Sequence, residues 1–353
     1  MRSGVQRSPV RLDVTMAGTT GGDMIPGVRT KVICTVGPSS LKPKVIRRLE
    51  ALGVSLFRIN LSHTPLEEVG GAILFLQTHS KVPICLDSEG AQIRTGSFTP
   101  APANLKKDSL IQVHRHPISG NTERLSFTPL ATIELLEPGD LITIDFHAVV
   151  AEVMEIEGDR AVLRIRQGGR VGNNKACHVH REIELPAITD KDRKAIGMGR
   201  EMGVDHYALS FANRPEDVRE MRELIGPEAT LISKIESRGG IAYLDEIARL
   251  SDAILIDRGD LSRQVAMERI PAHQKDIIGR VKAMGRPVYV ATNLLESMVH
   301  SSVPTLAEIN DIYNTLDDGV DGLVLAAETA VGKFPVGCVE MVLRVISEFE
   351  RTR

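Results

Sequence analysis

Charged side chains stand at the ends of several short apolar runs, where they could act together on one substrate. Lys234 and Glu236 end the run TLISKIE, and Asp260 follows the run DAILIDR. Glu236 and Asp260 would offer hard oxygen ligands to a divalent cation that keeps water and binds phosphate oxygens. Arg58 and Arg94, with Lys234, would hold and neutralise a phosphoryl group. This combination favours phosphoryl transfer, in which positioning and charge neutralisation do most of the work.

Other polar residues also stand at or just after the ends of apolar runs. Any one of them could be a helix cap or a surface charge. The whole set is harder to explain that way, since buried strands should be almost wholly apolar and an unpaired buried charge is costly. The set comprises Asn60, Ser62, His63, Asp87, Ser88, Arg258, Gly259, Thr292, Asn293, Glu328 and Thr329.

The apolar runs alternate with amphipathic segments, and this alternation predicts a parallel β-sheet with covering helices. Eight such units are the count of a TIM barrel, in which catalytic groups gather at the carboxyl ends of the strands. A doubly wound open sheet is the alternative, and eight similar units favour closure. The predicted strands are 31–37, 56–62, 82–88, 206–211, 230–236, 252–258, 287–292 and 322–328.

The stretch 97–186 breaks this rhythm after the third strand. It contains short runs of alternating apolar and polar residues, separated by turns such as EPGD and EGD. Such alternation predicts a small inserted antiparallel β-barrel. We therefore expect an α/β fold, with a TIM-barrel domain over 29–96 and 187–353. Residues 1–28, rich in Gly, Thr, Ser and Pro, are expected to form a mobile leader.

Composition excludes several classes of protein. The 353 residues carry 43 Lys and Arg against 46 Asp and Glu, a net charge of −3, which argues against a nucleic-acid binder. No apolar run approaches the roughly 20 residues of a membrane helix, and no signal peptide is evident. The four cysteines are scattered and suit reduced thiols in the cytoplasm. Cys177, His178 and His180 could hold a soft metal or simply lie on an exposed strand.

The chain resembles the pyruvate kinase family. The resemblance rests on segments that occur in the family's order from about residue 29 to the end. It implies a phosphotransferase of glycolysis that moves the phosphoryl group of phosphoenolpyruvate to ADP, giving pyruvate and ATP with Mg²⁺ or Mn²⁺. The matching segments include TKVICTVGPSS, FRINLSH, LDSEGAQIRTG, ISKIES, RGDLS, ATNLLESM and DDGVDGLVLAAETAVGKFP.

The resemblance also implies roles for individual residues. Lys234 matches the lysine that stabilises the transferring phosphoryl group, and Arg58 and Thr292 would assist it. Glu236 and Asp260 match the ligands of the divalent cation. The substrate would contact Gly259, Asp260, Thr292 and Phe211. The nucleotide would lie near Arg58, His63, Arg94 and Lys175, the last paired with Asp145 in a closing lid. Potassium ligands would be Asn60, Ser62, Asp87 and Ser88.

Departures from the family pattern keep other readings open. Gln92 stands where a glutamate accompanies potassium dependence, so the requirement for K⁺ is open. In the lid, Phe146 and His147 follow Asp145 in place of an acidic-glycine turn. A repurposed barrel enzyme with aldol, lyase or biosynthetic phosphotransfer chemistry, or a non-catalytic phosphoenolpyruvate sensor, is therefore an alternative. The family's C-terminal allosteric domain is expected to be absent, and homo-oligomer formation is left open.

Overall fold

The structure is a computed structural model that describes residues 30–90, 92–145, 148–181 and 183–353. The predicted leader, Phe146 and His147 lie outside the described residues. Two closed β-barrels make up the described chain, a larger one of parallel strands and a smaller one inserted into it. No helix in the described residues has both the length and the apolar character needed to cross a bilayer.

The first part of the larger barrel alternates strand with helix, as the sequence predicts. In α1, Pro43 stands at the first helical position, where its fixed φ favours a helix and its missing amide is not needed. Ile46 and Leu49 on the inner face of this helix are buried. The elements are β1 (Lys31–Thr35), α1 (Pro43–Ala51), β2 (Leu56–Asn60), α2 (Leu66–His79) and β3 (Ile84–Asp87).

Seven strands of the inserted unit form a closed barrel in the order β10-β6-β7-β4-β12-β8-β9, and β5 pairs with β11 in a separate two-stranded sheet. Its pairs are antiparallel apart from β6 with β7, which run parallel. The first half of strand β9 buries alternate residues, Val149, Ala151 and Val153, as a half-exposed strand should. Its elements are β4 (Ile93–Thr95), β5 (Ala103–Leu105), β6 (Leu110–His114), β7 (Arg124–Thr128), α3 (Thr132–Leu135), β8 (Leu141–Ile144), β9 (Val149–Glu157), β10 (Arg160–Gln167), β11 (Gly169–Val171) and β12 (Ala176–Val179).

The inserted barrel begins upstream of the predicted boundary at residue 97. Strand β4 pairs with β7 and with β12, so it belongs to the small barrel although it follows β3 closely. A three-residue strand is too short for its alternation to stand out in the sequence, and for this reason the prediction placed the boundary after it.

The chain then returns to the larger barrel. Thr189 and Asp192 form a capping box at the start of α4, and Thr305 and Glu308 form one at α10, so orphan amides of both helices find acceptors. The elements are α4 (Asp190–Glu201), β13 (His206–Leu209), α5 (Pro215–Ile225), β14 (Thr230–Ile235), α6 (Arg238–Ala242), α7 (Leu244–Leu250), β15 (Ala253–Asp257), α8 (Arg258–Gln264), α9 (Ile270–Ala283), β16 (Val288–Ala291), α10 (Leu306–Asp317), β17 (Gly322–Leu325), α11 (Ala327–Ala330) and α12 (Pro335–Arg351), with 3₁₀ turns at Met267–Arg269 and Glu296–Val299.

The eight parallel strands close in the order β1-β17-β16-β15-β14-β13-β3-β2. Strand β1 pairs with both β2 and β17, so the sheet has no edge and the open-sheet alternative is wrong. The TIM barrel with an insertion after its third strand is confirmed. In such a barrel, the carboxyl ends of all eight strands meet at one face.

Alternation along the strands decides which side chains enter the barrel, because successive residues point to opposite faces. The inner face carries a small apolar cluster that includes Leu56, Cys85, Ile232 and Leu255. The next inward positions toward the carboxyl ends are polar, which gathers several charges above the apolar floor. They are Arg58, Asp87, Lys234, Glu236 and Asp257.

Candidate active site

Lys234 lies at the centre of the charged group at the carboxyl ends of the strands. Its Nζ stands 2.9 Å from Glu236 Oε1 and 3.4 Å from Asp87 Oδ1, and it donates to Ser210 Oγ at 3.0 Å. Burial alone would lower the pKa of Lys234, but the neighbouring carboxylates outweigh it and hold that pKa above its ordinary value. Lys234 is therefore a fixed positive charge inside the barrel.

Arg58 places a second buried cation beside Lys234. Its Nη1 lies 3.4 Å from Asp87 Oδ2, and its Nε donates to Thr35 Oγ1 at 2.9 Å. Arg58 Nη1 has no hydrogen-bond partner although it is buried. A guanidinium donor left in this way at the centre of a site can hydrogen-bond an anion such as a phosphoryl oxygen.

Three carboxylates converge next to Lys234. Glu236, Asp257 and Asp260 each place one oxygen within 4.8 Å of the others, and no other such group of His, Cys, Asp or Glu exists among the described residues. Burial raises the pKa of Glu236 to about 8. Burial also raises the pKa of Asp260, with the charge of Asp257 adding to the effect. Repulsion among these three carboxylates, which burial strengthens, favours the binding of a cation.

The loop after β16 is fixed against the first turn of α8. Thr292 Oγ1 accepts a hydrogen bond from the Gly259 amide at 2.8 Å and lies 3.2 Å from Asp257 Oδ1. From outside the barrel, Arg258 Nη2 donates to the carbonyl of Thr292 at 2.7 Å, and its Nη1 lies 2.8 Å from Asp311 Oδ2. Arg258 thus holds the loop and does not face the site.

The strand ends open into a cavity of about 360 Å³ between the two barrels. The larger barrel contributes Lys234, Asp260 and Phe211, while the inserted barrel contributes Asp145 and Lys175. The other predicted residues that line this cavity are Asn60, Ser62, His63 and Arg94. Lys234, Arg94, Lys175 and Asp260 therefore share one space large enough for small phosphorylated ligands, whereas its lining does not include Arg58, Asp87, Ser88, Glu236, Gly259 or Thr292.

Residues of the inserted barrel pair with one another beside this cavity, and one of them, Asn174, also contacts the larger barrel. Lys175 Nζ lies 3.2 Å from Asp145 Oδ2, and Arg94 Nη1 donates to the Asn174 carbonyl at 3.0 Å. Asn174 Nδ2 in turn donates to the carbonyl of Ser62 at 3.2 Å. These contacts bring the predicted Asp145–Lys175 pair to the rim of the site.

Phe211 departs from its predicted position at the end of a strand. Strand β13 ends at Leu209, and Phe211 lies in the following turn with φ 51°. Its amide donates to Glu236 Oε2 at 2.6 Å, so the turn fixes the carboxylate. A β-strand reading of HYALSF could not reveal this left-handed turn, since such a conformation is rare for aromatic residues.

Comparisons with known proteins agree with this geometry. A family model described as "Pyruvate kinase, barrel domain" matches residues 28–339. A curated pyruvate kinase of Methylorubrum extorquens is 36% identical over 329 residues, which cover 92% of this chain and 69% of that protein. A pyruvate kinase of Thermotoga maritima is 36% identical, covering 91% of this chain and 71% of the relative. One from Clostridium acetobutylicum is 34% identical, covering 91% and 70%.

The chain belongs to the pyruvate kinase family. It is accordingly an enzyme, a pyruvate kinase-like phosphotransferase that acts on small molecules. The relatives do not favour the lyase or sensor alternatives. The resemblance predicted from the sequence motifs is confirmed.

The residues that pyruvate kinase resemblance assigns to potassium already have protein partners. Asn60 Oδ1 accepts from the Ser62 amide at 2.9 Å. The oxygen expected from Ser88 is its backbone carbonyl, whereas its hydroxyl oxygen accepts from the Ser210 amide at 2.9 Å. Asp87 faces both Lys234 and Arg58. A monovalent cation would have to share these oxygens, so its role stays a prediction.

Sequence reasoning missed Asp257, Ser210 and Arg263, which all line the cavity. Arg263 Nη1 lies 2.9 Å from Asp260 Oδ1. Period-two alternation could have found Asp257, because it follows the inward positions of Ala253 and Leu255 on β15. In the sequence, Asp257 stands at the end of a mainly apolar run, and the composition of that run does not show which face Asp257 occupies.

Two other candidates from the sequence make contacts that hold parts of the fold together. Glu328 is fully buried, and its oxygens accept from the amides of Leu295 and Ala326 at 3.1 and 2.8 Å, so it fixes loops of the barrel. The cysteine–histidine cluster of the lid is not among the converging ligand groups of the described residues. In it, His178 contacts Gln264 at 3.2 Å, which links the lid to α8.

Proposed function

We propose that this chain transfers the phosphoryl group of phosphoenolpyruvate to ADP with Mg²⁺, or Mn²⁺ in its place, giving pyruvate and ATP. One observation carries the proposal. Lys234 Nζ lies between the carboxylates of Glu236 and Asp87 and lines a cavity that also contains lid lysine Lys175. A fixed ammonium, a hard-oxygen ligand set and a cationic rim are what phosphoryl transfer needs.

The residues present fit a divalent cation. Glu236 Oε1 is buried, and it lies 2.9 Å from Lys234 Nζ without a well-aligned hydrogen bond; Asp260 offers a further carboxylate oxygen nearby. Oxygen-only ligands suit Mg²⁺, which keeps several waters and uses one or two carboxylates together with substrate phosphates. When bound, the cation supplies positive charge against the negative charge that develops on the transferring group.

In this proposal, the cationic side chains orient the phosphoryl group and neutralise its charge. Lys234 and Arg58 contact the oxygens of the phosphoryl group during transfer. The bond between phosphorus and the enol oxygen breaks, and a bond to the terminal β-phosphate oxygen of ADP forms. The enolate then takes up a proton from water at its methylene carbon and becomes pyruvate. Electrostatic stabilisation of this kind is commonly the largest single contribution to catalysis.

We further propose which residues bind the two substrates. Gly259, Asp260, Thr292 and Phe211 would line the subsite of the phosphoenolpyruvate carboxylate. His63, Arg94 and Lys175 would contact the phosphates of ADP. Burial and the nearby arginine Arg94 lower the pKa of His63, so a neutral imidazole is expected there at pH 7. The lid would exclude water and thereby suppress hydrolysis.

Two smaller proposals complete the account. All four cysteines are free and buried, which supports a cytoplasmic location. Potassium is proposed only as an optional activator, because Gln92 lines the same cavity without contributing a charge.

A coupled assay of pyruvate formation tests the proposal. Purified chain, phosphoenolpyruvate, ADP and Mg²⁺ should yield pyruvate, and omission of ADP should stop the reaction. Exchange of the methyl protons of pyruvate without nucleotide turnover would instead indicate lyase-type chemistry. A folded chain that binds Mn²⁺ yet forms no pyruvate under these conditions would overturn the proposed function.

A further inference from the structure

Asp257 has no role in the proposed transfer, although it lies among the residues that do. It ends strand β15 on the inward face, and it is 5% exposed. Its Oδ2 lies 3.7 Å from Lys234 Nζ, and its Oδ1 lies 3.2 Å from Thr292 Oγ1. A buried carboxylate in this position adds negative charge where a phosphorylated acid would bind.

With all three carboxylates ionised, the buried charges at this point do not balance. The carboxylates of Asp87, Glu236 and Asp257 face two buried cations, Lys234 and Arg58. Arg263 does not supply the missing positive charge, since it already forms an ion pair with Asp260. An uncompensated charge in a protein interior is costly, so this arrangement favours the binding of a further cation.

A second observation indicates where that cation binds. Glu236 Oε1 is buried and accepts no well-aligned hydrogen bond, although it lies 2.9 Å from Lys234 Nζ, and Glu236, Asp257 and Asp260 converge to within 4.8 Å through one oxygen each. Three carboxylate oxygens at such spacing can surround one hard divalent ion, with water completing its coordination. The uncharged hydroxyl of Thr292 then orients Asp257.

We propose that Asp257 is a third carboxylate ligand of the divalent cation, beside Glu236 and Asp260, so that the cation binds this chain before any substrate. This inference rests on the proposed function for the assignment of Glu236 and Asp260 as ligands. Each added carboxylate raises the affinity for a divalent cation through charge and ligand number. The free enzyme therefore holds its cation without help from substrate oxygens.

Binding of Mn²⁺ to the substrate-free chain tests this role. The free ion is followed by electron paramagnetic resonance in the unaltered chain and in D257N, which keeps the shape of the side chain and an acceptor for Thr292. D257S is measured in parallel, because it removes the same charge with a smaller side chain. D159N is the matched control, since Asp159 is 69% exposed on the lid.

We expect Mn²⁺ to bind D257N and D257S about tenfold or more weakly than the unaltered chain, and D159N to bind it normally. Equal Mn²⁺ affinity in the folded Asp257 variants would overturn the inference and leave Asp257 a positioning residue for Thr292.

Failure of this inference can be distinguished from failure of the proposed function. ATP formation by the unaltered chain with unchanged Mn²⁺ binding in D257N refutes only this inference. Weakened binding in D257N without any ATP formation by the unaltered chain refutes only the function.

Discussion

Lys234 and Glu236 flank Ile235 at the end of one barrel strand, and Lys234 Nζ lies 2.9 Å from Glu236 Oε1. Both side chains point into the barrel because alternate residues of a strand share a face. A residue proposed to contact the phosphoryl group thus also touches a proposed metal ligand. Loss of the charge on either residue should therefore change the electrostatic environment of the other.

Replacement of Lys234 by Met should abolish phosphoryl transfer while the chain still folds. The variant loses the ammonium that neutralises the phosphoryl oxygens, and we expect kcat to fall by about 10³-fold or more. Buried carboxylates that lose their partner should also lower the free energy of unfolding by about 3 kcal/mol. Steady-state kinetics and denaturant unfolding followed by tyrosine fluorescence measure the two effects.

Lys81→Met provides the control for that substitution. Lys81 is exposed just before strand β3, at the opposite end of the barrel, so kcat should stay within about twofold of the original. A K234M chain with more than a tenth of the original kcat would contradict the role proposed for Lys234.

Replacement of Arg258 by Lys should disturb the loop that carries Thr292. Thr292 and Asn293 both adopt positive φ, 68° and 54°, a conformation that costs about 1 kcal/mol or more for such residues. Arg258 holds both carbonyls, and a lysine cannot reproduce its planar fork. We expect kcat to fall by about 10- to 100-fold.

Arg280→Lys serves as the matched variant, because Arg280 pairs with Asp245 between outer helices at 2.7 Å. Its kcat should be unchanged within experimental error. An R258K variant whose kinetics equal those of R280K would show that the loop needs no guanidinium.

The lid should lose stability in acid through Asp140. Two hydrogen bonds from Arg181, at 2.9 and 3.0 Å, lower the pKa of Asp140. A carboxylate with a lowered pKa stabilises the fold above its unfolded value of about 4, and that contribution is lost as the pH falls through the folded value. Asp140→Asn should remove about 1–3 kcal/mol even at pH 7.

Hydrogen exchange is the suitable measurement, because every tyrosine lies outside the lid. Peptides from strands β8 and β12 should exchange faster in D140N than in D159N, and the difference should shrink below about pH 4. Equal protection of these peptides in the two variants at pH 7 would contradict the prediction. The tyrosines are Tyr207, Tyr243, Tyr289 and Tyr313.

Removal of potassium should leave the chain active. The side-chain oxygen of Asn60 already accepts a backbone amide, and Asp87 faces two cations. We expect the rate in tetramethylammonium buffer to stay within about tenfold of the rate in K⁺, a difference of about 1.4 kcal/mol. Complete loss of activity without K⁺ would show that these residues bind it strongly.

Much of the fold could be predicted from sequence because it repeats. Each apolar run followed by an amphipathic segment is one unit, and eight units close a barrel. Lys234, Glu236, Asp260 and Arg58 were expected to converge, since strand ends of a parallel barrel meet at one face. The start of the small barrel at β4 and the parallel pairing of β6 with β7 depend on distant partners, which local alternation does not encode.

The site was predictable wherever a charge interrupted an apolar run. Asp257 was not predicted as a site residue, because it stands at the end of such a run and could equally be a helix cap. Ser210 was not predicted either, because a serine near a strand end is common. Their roles depend on neighbours from other strands, Lys234 and Asp87, and those contacts exist only in the folded barrel.

Phosphorus-31 NMR of one reaction mixture is the most direct test of phosphoryl transfer from phosphoenolpyruvate to ADP. The purified chain is mixed with phosphoenolpyruvate, ADP and Mg²⁺, and the resonances are followed in time. The account predicts that the phosphoenolpyruvate signal falls as the γ-phosphate signal of ATP rises in equal amount, and that K234M shows neither change. Loss of phosphoenolpyruvate to inorganic phosphate, or no change with the folded unaltered chain, would contradict it.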